Sequence, residues 1–292
     1  MDTRSAASLE DPVGGVARLA EATGASFSHI EAARERTDAQ IADAARSLGA
    51  RMRTAGLSTC VFGSWARAEL TDASDDDWAV LVNREFNPYD PVVLAEIVAA
   101  QAKLGVDDRK PGAQGVFGGP IAVPELIGNI GLDADTNTNL TRRLLLLLES
   151  RELHGAVRDD AIGAILNRYL NESVKDERPS RFLLNDVVRY WRTICVDFEG
   201  KAGPNDRKWA TRNAKLRTSR KLLFAGGLVS VLLCLMSDAA ARAELLGLTF
   251  ETRESSALFH VIRDIGREFE AGLSALLFST SLAPLTRAYA IF

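Results

Sequence analysis

From Cys60 to Val82 the chain reads CVFGSWARAELTDASDDDWAVLV. Two carboxylates one residue apart, Asp75 and Asp77, lead into an apolar, branched run, Trp78–Val82. On extended backbone, side chains i and i+2 share a face. The two carboxylates are therefore expected to converge on one spot and hold one or two magnesium (or manganese) ions, hard cations that prefer oxygen ligands in octahedral geometry. Gly63-Ser64 stands upstream of Asp75 with ten residues between them, at the end of a β-type run, Leu57–Phe62. A glycine lets the backbone approach a phosphate. A serine where a strand gives way to a helix turns its hydroxyl and nearby N–H groups toward an anion. Arg67 lies one turn further on, placed to touch a triphosphate tail or to brace Asp75. Together these groups suit nucleotidyl transfer, which needs charge neutralisation on the phosphates and in-line geometry. Two ions about 3.5–4 Å apart would stabilise both the attacking and the leaving oxygen. Ser-Asp-Asp-Asp alone would equally fit a polar turn before a strand; the Gly63-Ser64 turn expected nearby, between two β-type runs, favours a phosphate and its cation.

The elements that must position these groups follow from periodicity. Apolar residues at helical spacing from Phe27 to Ala55 predict helices, ended by Gly56. Strands are expected at Leu57–Phe62 and Trp78–Val82, a helical turn at Trp65–Leu70 and a helix at Val92–Leu104. A glycine-rich stretch, Gly112 to Gly119, precedes a strand or turn around Ile121–Ile130. Leu140 to Glu152 contains five consecutive leucines and reads as a helix apolar nearly all round, hence deeply buried. Further helices are predicted at Asp160–Glu172, Phe182–Phe198, Lys208–Met236, Arg253–Phe269 and Gly272–Leu282. The expected fold is α+β: a loose terminus over residues 1–26, a small α/β domain with a mixed sheet over 27–151, and an all-helical substrate-binding domain over 152–292.

Bulk properties narrow the classes. A chain of 292 residues buries a core without disulfides or a structural metal. Cys60, Cys195 and Cys234 are far apart and form no CxxC pair, and His29, His154 and His260 are scattered. A disulfide framework, a zinc site and a histidine metal site are thus disfavoured, and a reducing cytoplasmic setting is expected. The N-terminus has no apolar signal segment. Leu222–Met236 is apolar but shorter than the roughly 20 residues of a membrane span, and Gly226-Gly227 inside it suggests close helix packing, so a buried helix is expected. The net charge is −4, yet Arg178 to Lys221 holds twelve Lys/Arg against four Asp/Glu. Such local basicity within an acidic chain points to an anionic ligand at one place.

The pattern Gly63-Ser64, Ala66-Arg67, Glu69, Ser74-Asp75, Asp77 resembles the signature of the polymerase-β-like nucleotidyltransferase superfamily. The helical half (Leu140–Arg151, Asn185–Lys201, Lys208–Lys221) looks similar to bacterial proteins related to the PII-protein uridylyltransferases. The resemblance implies an NTP substrate with magnesium, metal ligation by Asp75 and Asp77, phosphate contacts from Gly63 and Ser64, and a third carboxylate on a later strand. Glu125 falls in the likeliest strand; Asp133 and Asp135 lie nearby in an expected loop. Three residues depart from the pattern. Asp76 stands where an apolar residue is usual, Ala68 where glycine often stands, and Trp65 is bulky for a phosphate neighbour.

In the helical half, Arg189 and Arg192 are one turn apart, as are Arg212 and Lys215, so each pair shares a face. Arg189, Arg192, Lys215 and Arg220 are candidates for the triphosphate or an anionic acceptor. A solvated helix face, with Asp186 and Asp197 as partners, is the plainer alternative. Tyr190, Trp191 and Trp209 could stack on a base, although aromatic residues at helical spacing more often belong to a core. The expected activity is transfer of an NMP from an NTP to a hydroxyl of a protein or RNA, with release of pyrophosphate and no membrane role. Alternatives are a toxin of a toxin–antitoxin pair modifying tRNA, with an antitoxin partner, a catalytically inactive nucleotide-binding regulator, and an enzyme acting on a small-molecule acceptor.

Overall fold

A computed structural model describes residues 20, 21, 23–49, 56–72, 74–104, 111, 115–171, 181–201, 209–221, 223–225, 227, 228 and 231. The helices expected at Arg253–Phe269 and Gly272–Leu282 lie outside the described residues, as does most of the N-terminal 26. In chain order come α1 (Ser28–Gly49), β1 (Leu57–Phe62), β2 (Trp78–Val82), α2 (Pro91–Leu104), β3 (Gly119–Ala122), α3 (Val123–Gly128), α4 (Asn137–Leu148), β4 (Ser150–Gly155), α5 (Arg158–Asn171), α6 (Arg181–Gly200) and α7 (Trp209–Lys215). A π-helical turn, Leu216–Arg220, follows α7 directly. Among these helices none is long and apolar enough to cross a membrane.

The fold is mixed α+β. One four-stranded sheet has the order β3-β2-β1-β4; β1 runs antiparallel to β2 and β4, and β3 is parallel to β2. Every residue of β1 and β2 is buried, which explains why both read as continuous apolar runs rather than alternating ones: both faces of the sheet are covered. The period-2 alternation sorts their side chains. Cys60, Phe62, Ala79 and Leu81 join a core with leucines of α4, Ile162, Ile165 and Leu166 of α5, and Leu183, Val187 and Tyr190 of α6. Leu57, Val61, Trp78, Val80 and Val82 face the other way, toward Ile41, Ala44 and Leu48 of α1 and Val93, Ala100 and Leu104 of α2.

Three departures from the sequence reading bear on the site. The helix expected to run through Glu152 stops at Leu148, and Ser150–Gly155 becomes β4 beside β1. The expected boundary at residue 151 therefore falls inside a strand, and the leucines of α4 share one core with the sheet. The Ile121–Ile130 region divides into β3 and α3. The long helix expected from Lys208 begins, among the described residues, as seven residues of α-helix and a π turn. Beyond it, Gly227 packs closely, as a Cβ there would lie 3.3 Å from Leu148 Cδ2.

β4 reaches its register through one tight position. Gly155 has φ +110°, and a Cβ there would stand 2.3 Å from both Leu57 O and Ser58 Oγ. Gly155→Ala is expected to destabilise the protein by about 3 kcal/mol or more through strain and overlap at the β1–β4 junction. Gly128→Ala, at a position with nothing within 4 Å, stays within about 1 kcal/mol. Denaturant midpoints of the two variants measure the contrast.

Candidate functional site

The site lies where β1 ends and β2 begins. Phe62 N–H donates to Asp77 O at 2.9 Å, so the β1–β2 ladder extends one pair beyond the strands to Asp77 itself. Directly after Phe62 the chain turns at Gly63, which adopts φ +60°. A Cβ on Gly63 would sit 3.5 Å from Asp77 Oδ2. The Gly-Ser turn and the second aspartate, separated in sequence, are thus neighbours in space. Arg67 N–H donates to Gly63 O at 3.0 Å and Glu69 N–H to Ser64 O at 2.8 Å, closing the turn that carries Ser64 and Arg67. Ala68 sits at φ +58°, in the region that favours glycine.

Strand alternation decides where each aspartate goes. Asp76 shares parity with Trp78 and Val80 and is buried on the α1–α2 face, 1% exposed. Its Oδ1 accepts a hydrogen bond from Trp65 Nε1 at 3.0 Å. Two departures from the superfamily pattern therefore answer each other. The bulky Trp65 turns into the core, away from the Gly63–Ser64 backbone, and Asp76 meets its indole N–H there. Asp77 shares parity with Ala79 and Leu81 and emerges, half-buried, on the α4–α6 side; Asp75 is exposed. Burial first, and then the negative charges of Asp75 and Glu149, push the Asp77 carboxyl up to about 6, while Arg220 pulls it down.

Glu149, a residue that sequence reasoning passed over, belongs to this group. It caps the C-terminus of α4 immediately before β4, and Ser150 pairs with Phe62. Glu149 is 7% exposed. Arg67 Nη1 bonds to Glu149 Oε2, and Arg67 Nε donates to Glu69 Oε2 at 2.9 Å. Burial works against the Arg67 cation, but Glu149 and Glu69 outweigh it and raise its pKa. The carboxylates that Arg67 braces are thus Glu149 and Glu69. Tyr190 Oη, buried on α6, donates to Glu149 Oε1 at 3.4 Å. Burial and Glu149 raise the Tyr190 pKa, while Arg220 and Arg67 oppose them. The available signal was one acid ending a five-leucine run.

The remaining candidates are distributed elsewhere. Glu125 is exposed in the first turn of α3, near enough to Arg142 to favour its charge. β3 runs parallel to β2, so Asp77 lies at one end of the sheet and Glu125 beyond the other, on the order of 15 Å along the strand direction. Asp135 and Arg189 belong to a different cluster. The fully buried Arg143 donates to Asp135 Oδ2 and Asp186 Oδ2, both at 2.7 Å, and Arg189 Nη1 lies 3.1 Å from Asp186 Oδ1 and 3.6 Å from Asp135 Oδ2. Asp133 and Arg192 are exposed, the latter on α6, and Lys215 is exposed on α7. Arg220, at the end of the π turn, places its charge near Asp77 and Tyr190. Trp191 stacks on Phe224, with ring centroids 5.2 Å apart, and Trp209 is half-exposed.

The residues present suit a divalent cation. Among the described residues no group of three or more His, Cys, Asp or Glu is gathered as a complete ligand cage. Magnesium does not require one, since it is commonly held by one or two carboxylates with water and substrate phosphates completing the octahedron. Asp75 and Asp77 would supply such a pair; the Asp77 pKa is raised by burial first and then by the neighbouring charges of Asp75 and Glu149, which a cation would offset. Arg67 and Arg220 offer guanidinium donors matched to phosphate. Comparison with family models, curated proteins and solved structures gives no match to this chain.

Two expectations follow. Trp65→Phe and Asp76→Ala each remove one partner of a buried hydrogen bond and should each cost about 1–3 kcal/mol. The double variant should cost less than the sum, with a coupling of about 1 kcal/mol, measured by denaturant unfolding. For Asp77 the folded-state pKa exceeds the unfolded value of 3.8. The folded state therefore holds more protons than the unfolded state between about pH 4 and 6, and stability falls as pH rises through that window. Asp77→Asn should remove this slope and gain on the order of 1–2 kcal/mol at pH 7, discounted for partial exposure, when unfolding is followed against pH.

Proposed function

We propose that the protein is a magnesium-dependent nucleotidyltransferase that moves a nucleoside monophosphate from an NTP to an acceptor hydroxyl on a protein or RNA, in the cytoplasm. The observation that carries this reading is the closeness of Gly63 to Asp77, where a Cβ would lie 3.5 Å from the carboxylate oxygen. One turn able to cradle a phosphate and one carboxylate pair able to hold its counter-ion thereby make a single site. Bound magnesium would supply neutralisation of the triphosphate oxygens and of the leaving pyrophosphate.

The chain's own residues account for the rest. The Gly63–Ser64 backbone, with no side chain at Gly63, lets phosphate oxygens approach the turn. Arg67 fixes Glu149 and Glu69 and holds the turn against the end of α4. Arg220, already facing Asp77, is placed to meet negative charge on the triphosphate. The acceptor oxygen attacks the α-phosphorus and the bond to the pyrophosphate oxygen breaks. The hydroxyl proton leaves to a carboxylate of the Asp75–Asp77–Glu149 group.

The test pairs chemistry with binding. Purified protein, each labelled NTP, magnesium and cell lysate should yield a labelled macromolecule. Asp77→Asn should reduce labelling by about 10³-fold, the loss of several kcal/mol of charge stabilisation. Magnesium should raise the thermal midpoint of the native protein and leave that of Asp77→Asn unmoved, and its effect should fade below about pH 6 as Asp77 takes up a proton. NTP binding without transfer to any acceptor would instead favour a nucleotide sensor.

A further inference from the structure

Few elements of the fold are as poorly served by the core as α7 and the π turn after it. None of the residues Trp209–Lys215 is buried. The helical residues that follow reach the core through Phe224, Gly227, Leu228 and Val231, so Trp209–Lys221 forms the outer, solvent-facing start of that run. From Trp209 to Lys221 the sequence holds Arg212, Lys215, Arg217, Arg220 and Lys221 and no Asp or Glu. Lys215, Arg217, Arg220 and Lys221 are exposed, and Trp209, at the start of the segment, exposes 47% of its surface. At the other end the π turn packs against α6, and the charge of Arg220 lies near enough to Asp77 and Tyr190 to act on both. The basic segment therefore runs from an open indole to the edge of the candidate site.

We infer that Trp209–Lys221 is the seat of the acceptor and that the acceptor is a single-stranded polynucleotide, whose terminal hydroxyl is led to the Asp75–Asp77 end of the sheet; this rests on the nucleotidyl-transfer reading. Charge complementarity identifies the occupant, since a row of cations without an acid matches a row of phosphates. The exposed indole separates a polynucleotide from an acidic protein: a base stacks on an aromatic face while the flanking phosphates pair with Lys and Arg. The length also fits. Thirteen helical residues extend about 18 Å, room for about five stacked nucleotides. The π turn, a form that recurs at functional sites, places Arg220 where the strand would end. The terminal hydroxyl oxygen would then form the new bond to the α-phosphorus, with pyrophosphate as the leaving group.

Binding is tested on the full chain with a fluorescent ten-nucleotide RNA and its DNA counterpart, by anisotropy without NTP and across a salt series. Affinity for one or both strands is expected to fall with salt, with a log–log slope of about −2 to −3. Arg217→Ala with Lys221→Ala should weaken binding about tenfold or more and reduce that slope by about 1, and Trp209→Ala should weaken it about 5- to 100-fold. Asp77→Asn should bind the strand as the native protein does, so failure of transfer and failure of strand binding read out separately. Because α7 buries nothing, these variants should keep the native thermal midpoint. Absence of strand binding, or binding indifferent to the α7 variants, overturns the inference. So does label from NTP found on a protein, a result that would leave nucleotidyl transfer intact. Loss of NTP affinity in Arg217→Ala/Lys221→Ala would assign the segment to the triphosphate and equally overturn it.

Discussion

Like charges held close together at one end of the sheet set the terms for everything around them. Asp75 and Asp77 are fixed by the start of β2, and Glu149 is brought beside them by the pairing of β4 with β1. Two unit charges about 6 Å apart repel by about 3 kcal/mol at an effective dielectric near 20. Folding alone gains nothing from such an arrangement; the Asp77 pKa is raised by burial first and by the charges of Asp75 and Glu149 after it. The structure limits that cost with Arg67 on Glu149 and Glu69 and with Arg220 facing Asp77. The acid excess that remains is what the proposed cation would neutralise.

The same end of the sheet depends on alternation. Of the three consecutive aspartates, Asp76 goes into the α1–α2 core, Asp77 has the parity of the opposite face, and Asp75, before the strand, is exposed. Burying Asp76 requires a donor, and Trp65 provides it from the turn that follows Gly63. That indole hydrogen bond ties the Gly-Ser turn to the Asp-x-Asp segment from behind, as the Phe62–Asp77 backbone bond does within the sheet. Residues that look misplaced when each is judged alone become a matched pair once the two segments lie side by side.

Much of this was legible because it is local. The two buried strands were marked by their length and branching, and their observed bounds are Leu57–Phe62 and Trp78–Val82. A period of two predicts that Asp75 and Asp77 share a face; in the structure Asp77 keeps the parity of β2, and Asp75 stands exposed before the strand. What escaped depends on contacts distant in sequence. The leucines of α4 give no sign that the helix will stop at Leu148, since an apolar run suits a buried helix up to the point where β1 captures the following residues as a strand. Glu149 was invisible for that reason. Glu125 was favoured by an expected strand that instead ends at Ala122 and turns into α3, carrying its carboxylate to the far end of the sheet. Charge counting found the basic region but could not tell Arg189, drawn into ion pairs with Asp135 and Asp186, from Arg220, which faces the aspartates.

Balance separates the two charged clusters more clearly than burial does. Around Arg143, two guanidiniums meet two carboxylates, Tyr169 adds its hydroxyl, and the group ties α4, α5 and α6 to the loop before α4. A buried cluster whose charges cancel and whose hydrogen bonds are shared in this way has no need of a ligand, and removing one member would leave an uncompensated charge in the core. Around Asp77, the cations that act on Asp77, Glu149 and Glu69 among the described residues are Arg67 and Arg220, and Tyr190 adds a hydroxyl to Glu149. An imbalance of that sign, at the rim of the sheet and beside the Gly63–Ser64 turn, is one that the proposed cation would offset. Arg143, Arg189 and Arg67 each face two carboxylates, so the balance of charge over the whole cluster, and not the count around one guanidinium, distinguishes the structural cluster from the candidate site.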